Sequence, residues 1–519
     1  LGGRIHTEVQ IENSHITGTY GFDLEGKSSL SMGDDSDLSV NLKGSTAGRM
    51  MGVYVSPASS FSAGDNLHMD LTFGAENPDG RVYGIRNEGT AKVGKNARIT
   101  VNAPDERTND TMAVSSYDNG SVTLGDGAVL TVNSKAENTN KIINNVVKAD
   151  TKGKVAFDGG MTLVGSQNAI YSTDEGSSVT AMKDGRKVIF GNLESAKNGS
   201  IQLNLNTADS LFRGKSTVDG FNADASGKTE LTLKNGARWD MTASSTVTGL
   251  DHGNGGLVNM QYNPEYQRLD VNQYSGQNGI FRMKTDLDSQ TDGDKVYMNG
   301  AAAGSQGLVQ VHDESFLTGK EVTGTKHLLL ITDNSKNATF SGLDLDEGGL
   351  WDVTPTIRNG SYVHDVMGVA DANDKQWYLT KLTRTINKDT RPLIAAADSG
   401  YGLYRESLDT LRQRMGDLRF LKKKDQATGL WARMRDGEFS GPDSLDTRYH
   451  NFQLGYDKAA NPKTVYGVLA ERGIASPSYA HGTGKDHSLA GAMYGTWFGD
   501  DGSYTDVMAR YNRDDAHVS

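Results

Sequence analysis

The sequence contains no cysteine among its 519 residues. This absence excludes a disulfide scaffold, thiolate-ligated zinc sites, iron–sulfur clusters and cysteine nucleophiles. It also suits a chain that crosses an oxidising compartment before it folds, because a premature disulfide would trap it. Proline is scarce as well, with 9 residues, which limits slow prolyl isomerisation during such a passage.

Basic residues and long apolar segments are also in short supply. The 53 Lys and Arg face 65 Asp and Glu, and the net charge of −12 argues against nucleic acid as a partner, since phosphates require a basic face. No segment approaches the roughly 18–20 consecutive apolar residues of a transmembrane helix. The start lacks the pattern of a signal peptide, and the end follows an alternating strand pattern, so we interpret the sequence as a fragment of a longer protein.

Glycine is abundant, with 62 residues, and it marks an internal repeat. Each copy is a short alternating strand, a turn rich in Gly, Asp and Asn, and a second short strand. The irregular spacing of the copies argues against propeller blades, which need equal units, and favours a solenoid with loops of variable length. The copies are residues 28–40, 89–101, 120–132, 153–164, 176–190 and 227–241.

These repeats predict an all-β fold in which residues 1–255 form a right-handed parallel β-helix. In such a solenoid each coil pairs its backbone with the coils on either side and stacks its inward Val, Leu and Ile on their equivalents. Gly and Asn would occupy the corners, where φ is positive. An antiparallel sandwich of glycine-rich hairpins is the alternative, because it uses similar units.

Residues 256–382 have longer and more aromatic strands, and here the sequence resembles a bacterial autotransporter of the pertactin type. The matching segments are 269–281, 283–287, 293–297, 300–304, 327–331, Phe340 and 377–380. In that family this stretch is the stable last part of the passenger, the autochaperone region. The resemblance implies the same role for residues 256–385, carried by Phe281, Met283, Asp286, Leu287, Asp294, Trp377, Tyr378 and Leu379.

The next segment, residues 386–425, has apolar residues at spacings of three and four, which predicts an amphipathic helix. Gly400 and Gly402 weaken it by about 1 kcal/mol each. It looks like the linker helix that threads the barrel lumen in autotransporters. Its end is similar to the motif of the family's secreted proteases, in residues Arg414, Met415, Gly416, Asp417, Leu418 and Arg419.

Residues 426–519 resemble the first strands of the autotransporter barrel. About five strands of an antiparallel outer-membrane β-barrel fit, with lipid-facing and lumen-facing side chains alternating. Such a barrel is incomplete, since the family's barrel has twelve strands. We expect its aromatic residues in the interface girdles, namely Trp431, Tyr449, Tyr456, Tyr466, Tyr494, Trp497, Tyr504 and Tyr511.

The sequence offers no catalytic or metal-binding constellation. It has neither a Gly-x-Ser-x-Gly elbow nor a His-Glu-x-x-His helix, and Asn66 stands where esterase passengers have their nucleophile. An acidic cluster departs from the EF-hand spacing and predicts a solvated hairpin turn. The cluster comprises Asp286, Asp288, Asp292 and Asp294. We therefore predict a protein without metal or cofactor that is not an enzyme.

The resemblance implies an autotransporter that exports its β-helical passenger through its own barrel. The barrel would lie in the outer membrane, with the passenger on the cell surface or secreted. The implied partners are outer-membrane lipid, the outer-membrane assembly machinery and periplasmic chaperones. We predict adhesion to a host surface or self-association as the activity. Two alternatives stay open: a β-helical polysaccharide-acting enzyme, and a stalk presenting an N-terminal effector domain.

Overall fold

The computed structural model describes residues 5–12, 18–43, 49–73, 80–107, 110–136, 144–317, 325–391, 393, 396–406, 408, 428–441, 444–479 and 482–518. The chain divides into two compact units. The first comprises residues 1–345 and 354–383, and the second comprises residues 346–353 and 384–519.

The first unit is built from short strands separated by tight turns. In chain order the strands up to residue 386 are β1 (His6–Glu12), β2 (Gly18–Leu24), β3 (Ser29–Met32), β4 (Asp37–Lys43), β5 (Arg49–Val55), β6 (Ser60–Ala63), β7 (His68–Phe73), β8 (Arg81–Asn87), β9 (Thr90–Val93), β10 (Arg98–Arg107), β11 (Thr111–Ser116), β12 (Ser121–Leu124), β13 (Ala128–Ala136), β14 (Asn144–Ala149), β15 (Lys154–Phe157), β16 (Met161–Thr173), β17 (Ser178–Ala181), β18 (Lys187–Ala196), β19 (Ser200–Leu205), β20 (Leu211–Gly214), β21 (Ser216–Val218), β22 (Lys228–Leu233), β23 (Arg238–Met241), β24 (Ser245–His252), β25 (Leu257–Asn259), β26 (Arg268–Ser275), β27 (Gly279–Thr285), β28 (Lys295–Ala301), β29 (Gln306–Asp313), β30 (Leu328–Asp333), β31 (Thr339–Gly342), β32 (Leu345–Glu347), β33 (Trp351–Asn359) and β34 (Gln376–Ile386). Among the residues described up to this point, three short helices interrupt the strands: a 3₁₀ helix at Met260–Tyr262, α1 (Glu314–Leu317) and α2 (Gly360–Met367).

The strands stack as a parallel β-helix. Equivalent strands of successive coils pair in parallel and in register, as β6, β9, β12 and β15 do in one sheet and β5, β8, β11 and β14 in the other. Each repeat copy supplies two of these strands; residues 89–101, for example, contain β9 and the start of β10. The β-helix prediction is therefore confirmed. The sandwich alternative is wrong, because its hairpins would pair antiparallel.

The interior of the coils is a set of aliphatic columns. Inward residues of successive coils are register partners, so that Ile85, Val114 and Val147 lie above one another and are fully buried. Because every coil adds a layer to the same column, burial of apolar surface accumulates along the stack.

Polar turns join the strands at the corners. Asp35, Asn66 and Asn96 each adopt a positive φ, between 54° and 61°, on three successive coils. The side-chain amide of Asn66 donates to Asp35 Oδ1 at 2.9 Å, and that of Asn96 donates to Asn66 Oδ1 at 3.2 Å. Asn66 is thus a corner residue in a stacked polar ladder, as its left-handed backbone requires.

The parallel order ends at β30. This strand pairs antiparallel with β34, which leads to β33 and β32 at the end of the second sheet. An antiparallel segment covers a strand edge that another coil would otherwise need to pair.

The second unit contains a five-stranded antiparallel sheet, which confirms the predicted number of strands within the residues described. Its strands are β35 (Gly429–Ser440), β36 (Asp446–Asn461), β37 (Thr464–Tyr479), β38 (Gly482–Phe498) and β39 (Tyr504–Val518). Side chains alternate between the two faces throughout. One face exposes large apolar groups, including Leu430, Met434, Leu489, Met493 and Tyr511.

The opposite face is polar and largely buried. Glu471 accepts hydrogen bonds from Asn451 and Gln453 and forms an ion pair with Arg510 at 3.0 Å. Three predicted girdle residues lie on this face, so their assignment is wrong: Trp431, Tyr449 and Tyr494. The register of the alternation places them inward, where Trp431 Nε1 donates to Tyr494 Oη at 3.0 Å.

A helical segment at residues 396–406 packs on this polar face. Leu403 contacts Tyr449 and Ala475 in a small buried cluster, and Ser399 Oγ donates to Asp486 Oδ2 at 2.5 Å. The Arg435 guanidinium lies 3.0 Å from the Glu406 carboxylate. The predicted linker-helix motif, residues 414–419, lies outside the described residues. Within the described part of the chain, no helix has the length and apolarity needed to cross a membrane.

The two glycines of this helical segment make a matched pair of test sites. A Cβ at Gly402 would lie 2.4 Å from the Phe439 ring, whereas a Cβ at Gly400 would meet nothing within 4 Å. We expect Gly402→Ala to lower the free energy of unfolding of the second unit by about 1–3 kcal/mol through overpacking. Gly400→Ala should raise it by up to about 1 kcal/mol through helix propensity. Thermal unfolding of the full chain in detergent micelles measures both; equal effects of the two substitutions would contradict this packing.

Candidate functional site

The candidate site is the end of the β-helix, which we call the cap and define as residues 256–345 and 354–383. It contains β26 to β31 and most of β34. The sequence resemblance assigned eight residues to an autochaperone role in this region. The structure shows what each of them contacts.

An aromatic stack fills the interior of the cap. Phe281 is fully buried, with its ring centroid 4.7 Å from that of His252 and 6.3 Å from that of Phe340. Phe340 in turn meets the edge of Trp377 at 5.6 Å, and Tyr274 lies 5.9 Å from Phe281. These rings come from successive coils, so the stack joins the final coils to the closing strand β34 by contacts of large buried area.

His252 lies at the base of this stack, on the last residue of β24. Its ring is fully buried, and its Nε2 atom lies 2.8 Å from the carbonyl oxygen of Gly256. Among the described residues its Nδ1 atom has no hydrogen-bond partner, so the neutral tautomer with the proton on Nε2 fits the site. Burial lowers the pKa of His252 to about 4, although the Gly256 carbonyl and Asp251 oppose the change.

A buried carboxylate links three parts of the cap. Asp294 is fully buried, and its two oxygens accept hydrogen bonds from the backbone N–H groups of Gln267 and Lys284, each at 2.6 Å. Burial raises the pKa of the Asp294 carboxyl to about 6, and the two backbone hydrogen bonds limit the rise. Burial also lowers the pKa of the adjacent Lys295 to about 8. Asp294 therefore satisfies backbone donors that the coil geometry leaves without strand partners.

The acidic cluster splits into groups with different roles. Asp286 Oδ1 accepts from the backbone N–H groups of Asp288 and Ser289, at 3.0 and 3.1 Å, and so stabilises the turn. Asp294 is buried, so the expectation of a wholly solvated turn is wrong at that position. Within the described residues, no group of three or more His, Asp or Glu side chains is arranged to hold a metal ion.

The remaining predicted residues have structural roles in the cap. Met283, Leu287 and Leu379 are buried in the main hydrophobic cluster. Trp377 and Tyr378 pair with Ile331 and Leu329 across the antiparallel ladder between β30 and β34. The cap therefore brings the predicted motif residues together, except that Asp286 remains at the turn and Tyr378 packs in a separate cluster with Val363 and Ala372.

Sequence reasoning missed several residues of this region. His252 and Tyr274 are stack members, and the buried Asp313 accepts from Thr285 Oγ1 at 2.7 Å and from the Leu287 N–H at 2.9 Å. The alternation of β26, with Leu269 and Val271 inward, would have placed Gln273 inward instead of Tyr274, because the strand breaks its alternation between these residues. No local signal distinguishes a buried Asp or His from the exposed ones in neighbouring turns.

Comparison with known proteins gives relatives of low identity. Serine protease EspP of Escherichia coli is 24% identical over 363 residues, which cover 65% of this chain and 26% of that protein. Serine protease EspC of Escherichia coli O127:H6 is 26% identical over 308 residues, which cover 58% of this chain and 22% of that protein. The chain thus spans about a quarter of the length of these relatives. Among solved structures, the Haemophilus influenzae Hap adhesin aligns at 17% identity and a TM-score of 0.31, over 68% of this chain and 39% of that chain.

These relatives overturn one prediction. We predicted that the protein is not an enzyme, and this prediction is wrong, because the relatives EspP, EspC, EatA and Sat are all named serine proteases. That prediction rested on the lack of catalytic motifs in these 519 residues. The same residues align with only 26% of EspP, so they correspond to a small part of what such a protein contains.

Two family models match different regions of the chain. The model described as Pertactin matches residues 250–381, which hold most of the cap and the base of its aromatic stack. The model described as Autotransporter beta-domain matches residues 426–519, which hold the five-stranded sheet. Proteins with this domain insert it into the outer membrane and display or secrete the segment before it. These two matches support an autotransporter with an outer-membrane domain and a β-helical passenger that is displayed at the cell surface or secreted.

Proposed function

We propose that the cap is the folding template of the passenger. The supporting observation is the stack of His252, Phe281, Phe340 and Trp377, which joins the last coils to an antiparallel closing strand. Residues 256–385 would fold first outside the membrane, and the coils of residues 1–255 would then pair onto them one by one. Residues 386–425 would serve as the linker helix, with the motif at 414–419 at its end, and residues 426–519 as a portion of the barrel.

This division assigns a separate physical task to every segment. A coil that emerges unfolded has no partner for its backbone until a neighbouring coil is in place, so the first stable coil must be closed by other means. In the cap, β34 supplies an antiparallel partner for β30, and Asp294 accepts two backbone hydrogen bonds. The assembly machinery and periplasmic chaperones are the proposed partners that hold the chain before this step.

We propose adhesion to a host surface, or self-association, as the activity of the displayed coils. A stack of parallel coils offers one long lateral surface on which equivalent side chains repeat, and such surfaces suit extended ligands. A second candidate is proteolysis, which is favoured by the names of EspP and EspC.

Two substitutions distinguish the template from an ordinary core region. Phe281→Ala should destabilise the cap by about 3–5 kcal/mol and greatly reduce trypsin resistance of all upstream coils. Phe212→Ala removes an equally buried ring from β20 and should leave a resistant fragment that begins after that coil. Both outcomes are measured by trypsin digestion of cells that express the full chain, followed by mass spectrometry of the surviving fragments. Upstream coils that stay resistant at normal yield in Phe281→Ala would refute templating.

Two groups, His252 beside the cap and Asp294 within it, have opposing pH effects on stability. His252 has a pKa of about 4 in the folded state against 6.5 unfolded, so the stability that it contributes is lost as pH falls from 6.5 to 4. Asp294 has a pKa of about 6 folded against 3.8 unfolded, so its contribution is lost as pH rises from 4 to 6. Each effect is about 3 kcal/mol, and the two nearly cancel.

Single substitutions should expose each effect. Between pH 6.5 and pH 4, Asp294→Asn should lose about 3 kcal/mol of stability, while His252→Gln should gain a similar amount. The wild-type chain should change much less over this range. Urea unfolding of the full chain, followed by tryptophan fluorescence at both pH values, measures the differences; parallel pH profiles for the two variants would contradict these assignments.

The activity is tested on cells that display the full chain. We expect such cells to clump or to bind host cells, and the effect should disappear when trypsin removes the passenger. Proteolysis is tested on the same cells and on their medium, as casein cleavage that phenylmethylsulfonyl fluoride abolishes. Cells that neither clump nor bind, but do cleave casein, would replace adhesion by proteolysis as the activity.

A further inference from the structure

One outward face of the β-helix carries a row of aromatic and cationic side chains. Tyr54, Arg86, Ser115, Lys148 and Tyr171 are register partners on five successive coils, in β5, β8, β11, β14 and β16. We call this row the tyrosine–cation ladder. Its neighbours in sequence, among them Ile85, Val114 and Val147, point into the core, so the ladder residues point outward.

The two cations of the ladder are held in the same way. The Arg86 guanidinium lies 3.0 Å from the Glu88 carboxylate, two residues further along the chain, and Lys148 Nζ lies 3.3 Å from the Asp150 carboxylate, also two residues further along. All four side chains are only 14–19% exposed. They therefore form a fixed surface, because little conformational freedom is left to lose on binding.

Tyrosine rings flank both cations. Arg86 Cζ lies 5.2 Å from the centroid of the Tyr83 ring and 5.3 Å from that of Tyr117. Lys148 Nζ lies 5.5 Å from the centroid of the Tyr171 ring. At the other end of the ladder, Tyr54 Oη donates to Glu88 Oε2 at 3.1 Å.

This surface matches an uncharged sugar chain, and we propose that the tyrosine–cation ladder binds a neutral polysaccharide. Tyrosine rings provide flat apolar faces for the C–H faces of pyranose rings, with little entropy to lose. The Arg86–Glu88 and Lys148–Asp150 pairs place a donor beside an acceptor, which is the pairing that sugar hydroxyls require.

The spacing of the ladder suits a linear ligand. Neighbouring coils are about 4.8 Å apart, so the two ion pairs, which lie two coils apart, are separated by about 10 Å along the stack. Ser115 lies between them and is the smallest side chain of the row. The row thus repeats donor–acceptor pairs along one direction, with a tyrosine ring on each side of them, and continues to Asp23 beyond Tyr54 and to Glu194 beyond Tyr171.

Other ligand classes fit less well. An acidic glycan would have to compete with Glu88 and Asp150 for their cations and would meet the charge of these carboxylates. An extended peptide that adds a strand requires a free sheet edge, and β8, β11 and β14 are paired on both sides. The proposal rests on the displayed passenger of the proposed function and names the ligand class that adhesion would use.

The test applies the full chain, in detergent micelles, to an array of immobilised linear glucans, mannans and galactans. Oligogalacturonate and sialylated chains on the same array are the acidic ligands for comparison. We expect retention on at least one neutral chain and not on the acidic ones. Calorimetry with the retained oligosaccharide should then show that Tyr54→Ala and Tyr171→Ala each weaken binding at least about tenfold. Tyr171→Phe keeps the ring and should retain binding.

The matched control is Tyr262→Ala, because Tyr262 also lies beside an arginine, 4.7 Å from Arg213 Cζ, but away from the ladder. Its affinity should stay within about twofold of wild type. Trypsin resistance of every variant establishes that the coils have folded, and the two alanine variants are independent of each other. Retention on acidic chains only, no retention at all, or unchanged affinity in both alanine variants would overturn the proposal.

Failure here is distinguishable from failure of the proposed function. Cells that adhere while the purified chain binds no neutral sugar would leave adhesion standing and remove this ladder as its site. If the purified chain binds a neutral sugar but cells that display the chain do not adhere, the ladder proposal is supported and adhesion is removed as the activity. Loss of self-association in Tyr54→Ala and Tyr171→Ala, without any sugar binding, would overturn the ladder proposal in favour of a chain–chain contact.

Discussion

Backbone hydrogen bonding between successive coils is the constraint on which the passenger depends. A strand of three to thirteen residues in this stack has no partner within its own coil, so its N–H and C=O groups are satisfied only by the coils on either side. Each coil therefore stabilises the next, and the stack needs an end at which this dependence stops. The antiparallel pairing of β30 with β34 supplies such an end, with Trp377 and Leu379 packed against the core behind it.

The same constraint explains why charged and aromatic residues are buried in the cap. Where a coil turns, some backbone donors find no strand partner, and the carboxylates of Asp294 and Asp313 take their place. Burying a carboxylate is unfavourable unless it accepts such bonds. The pKa of Asp294 is still raised, because the two hydrogen bonds offset only part of the desolvation penalty of its charged form. His252 carries the opposite cost, since burial favours its neutral form. The two groups therefore have opposing effects on stability as the pH falls.

Stacking in register has a second consequence, on the outside of the coils. A position that points outward in one coil points outward in the next, so side chains far apart in sequence form continuous rows. Arg86 and Lys148 are brought into one row in this way, each with its own carboxylate and tyrosine neighbours. The second unit uses alternation differently, with one apolar face for lipid and one polar face on which residues 396–406 pack.

Local patterns in the sequence were enough to predict the local units. The glycine-rich repeats specified strand, turn and strand, because alternation and turn residues act over a few positions, and the order of motifs after residue 256 identified the cap and the sheet of residues 426–519. Which residues meet across coils could be read only from the three-dimensional arrangement, since register depends on loop lengths that vary from coil to coil. The stack of His252 with Phe281, the burial of Asp294 and the ladder through Arg86 and Lys148 all arise from that register. The inward orientation of the Trp431 and Tyr494 side chains also depends on register, because a shift of one residue along a strand exchanges its two faces.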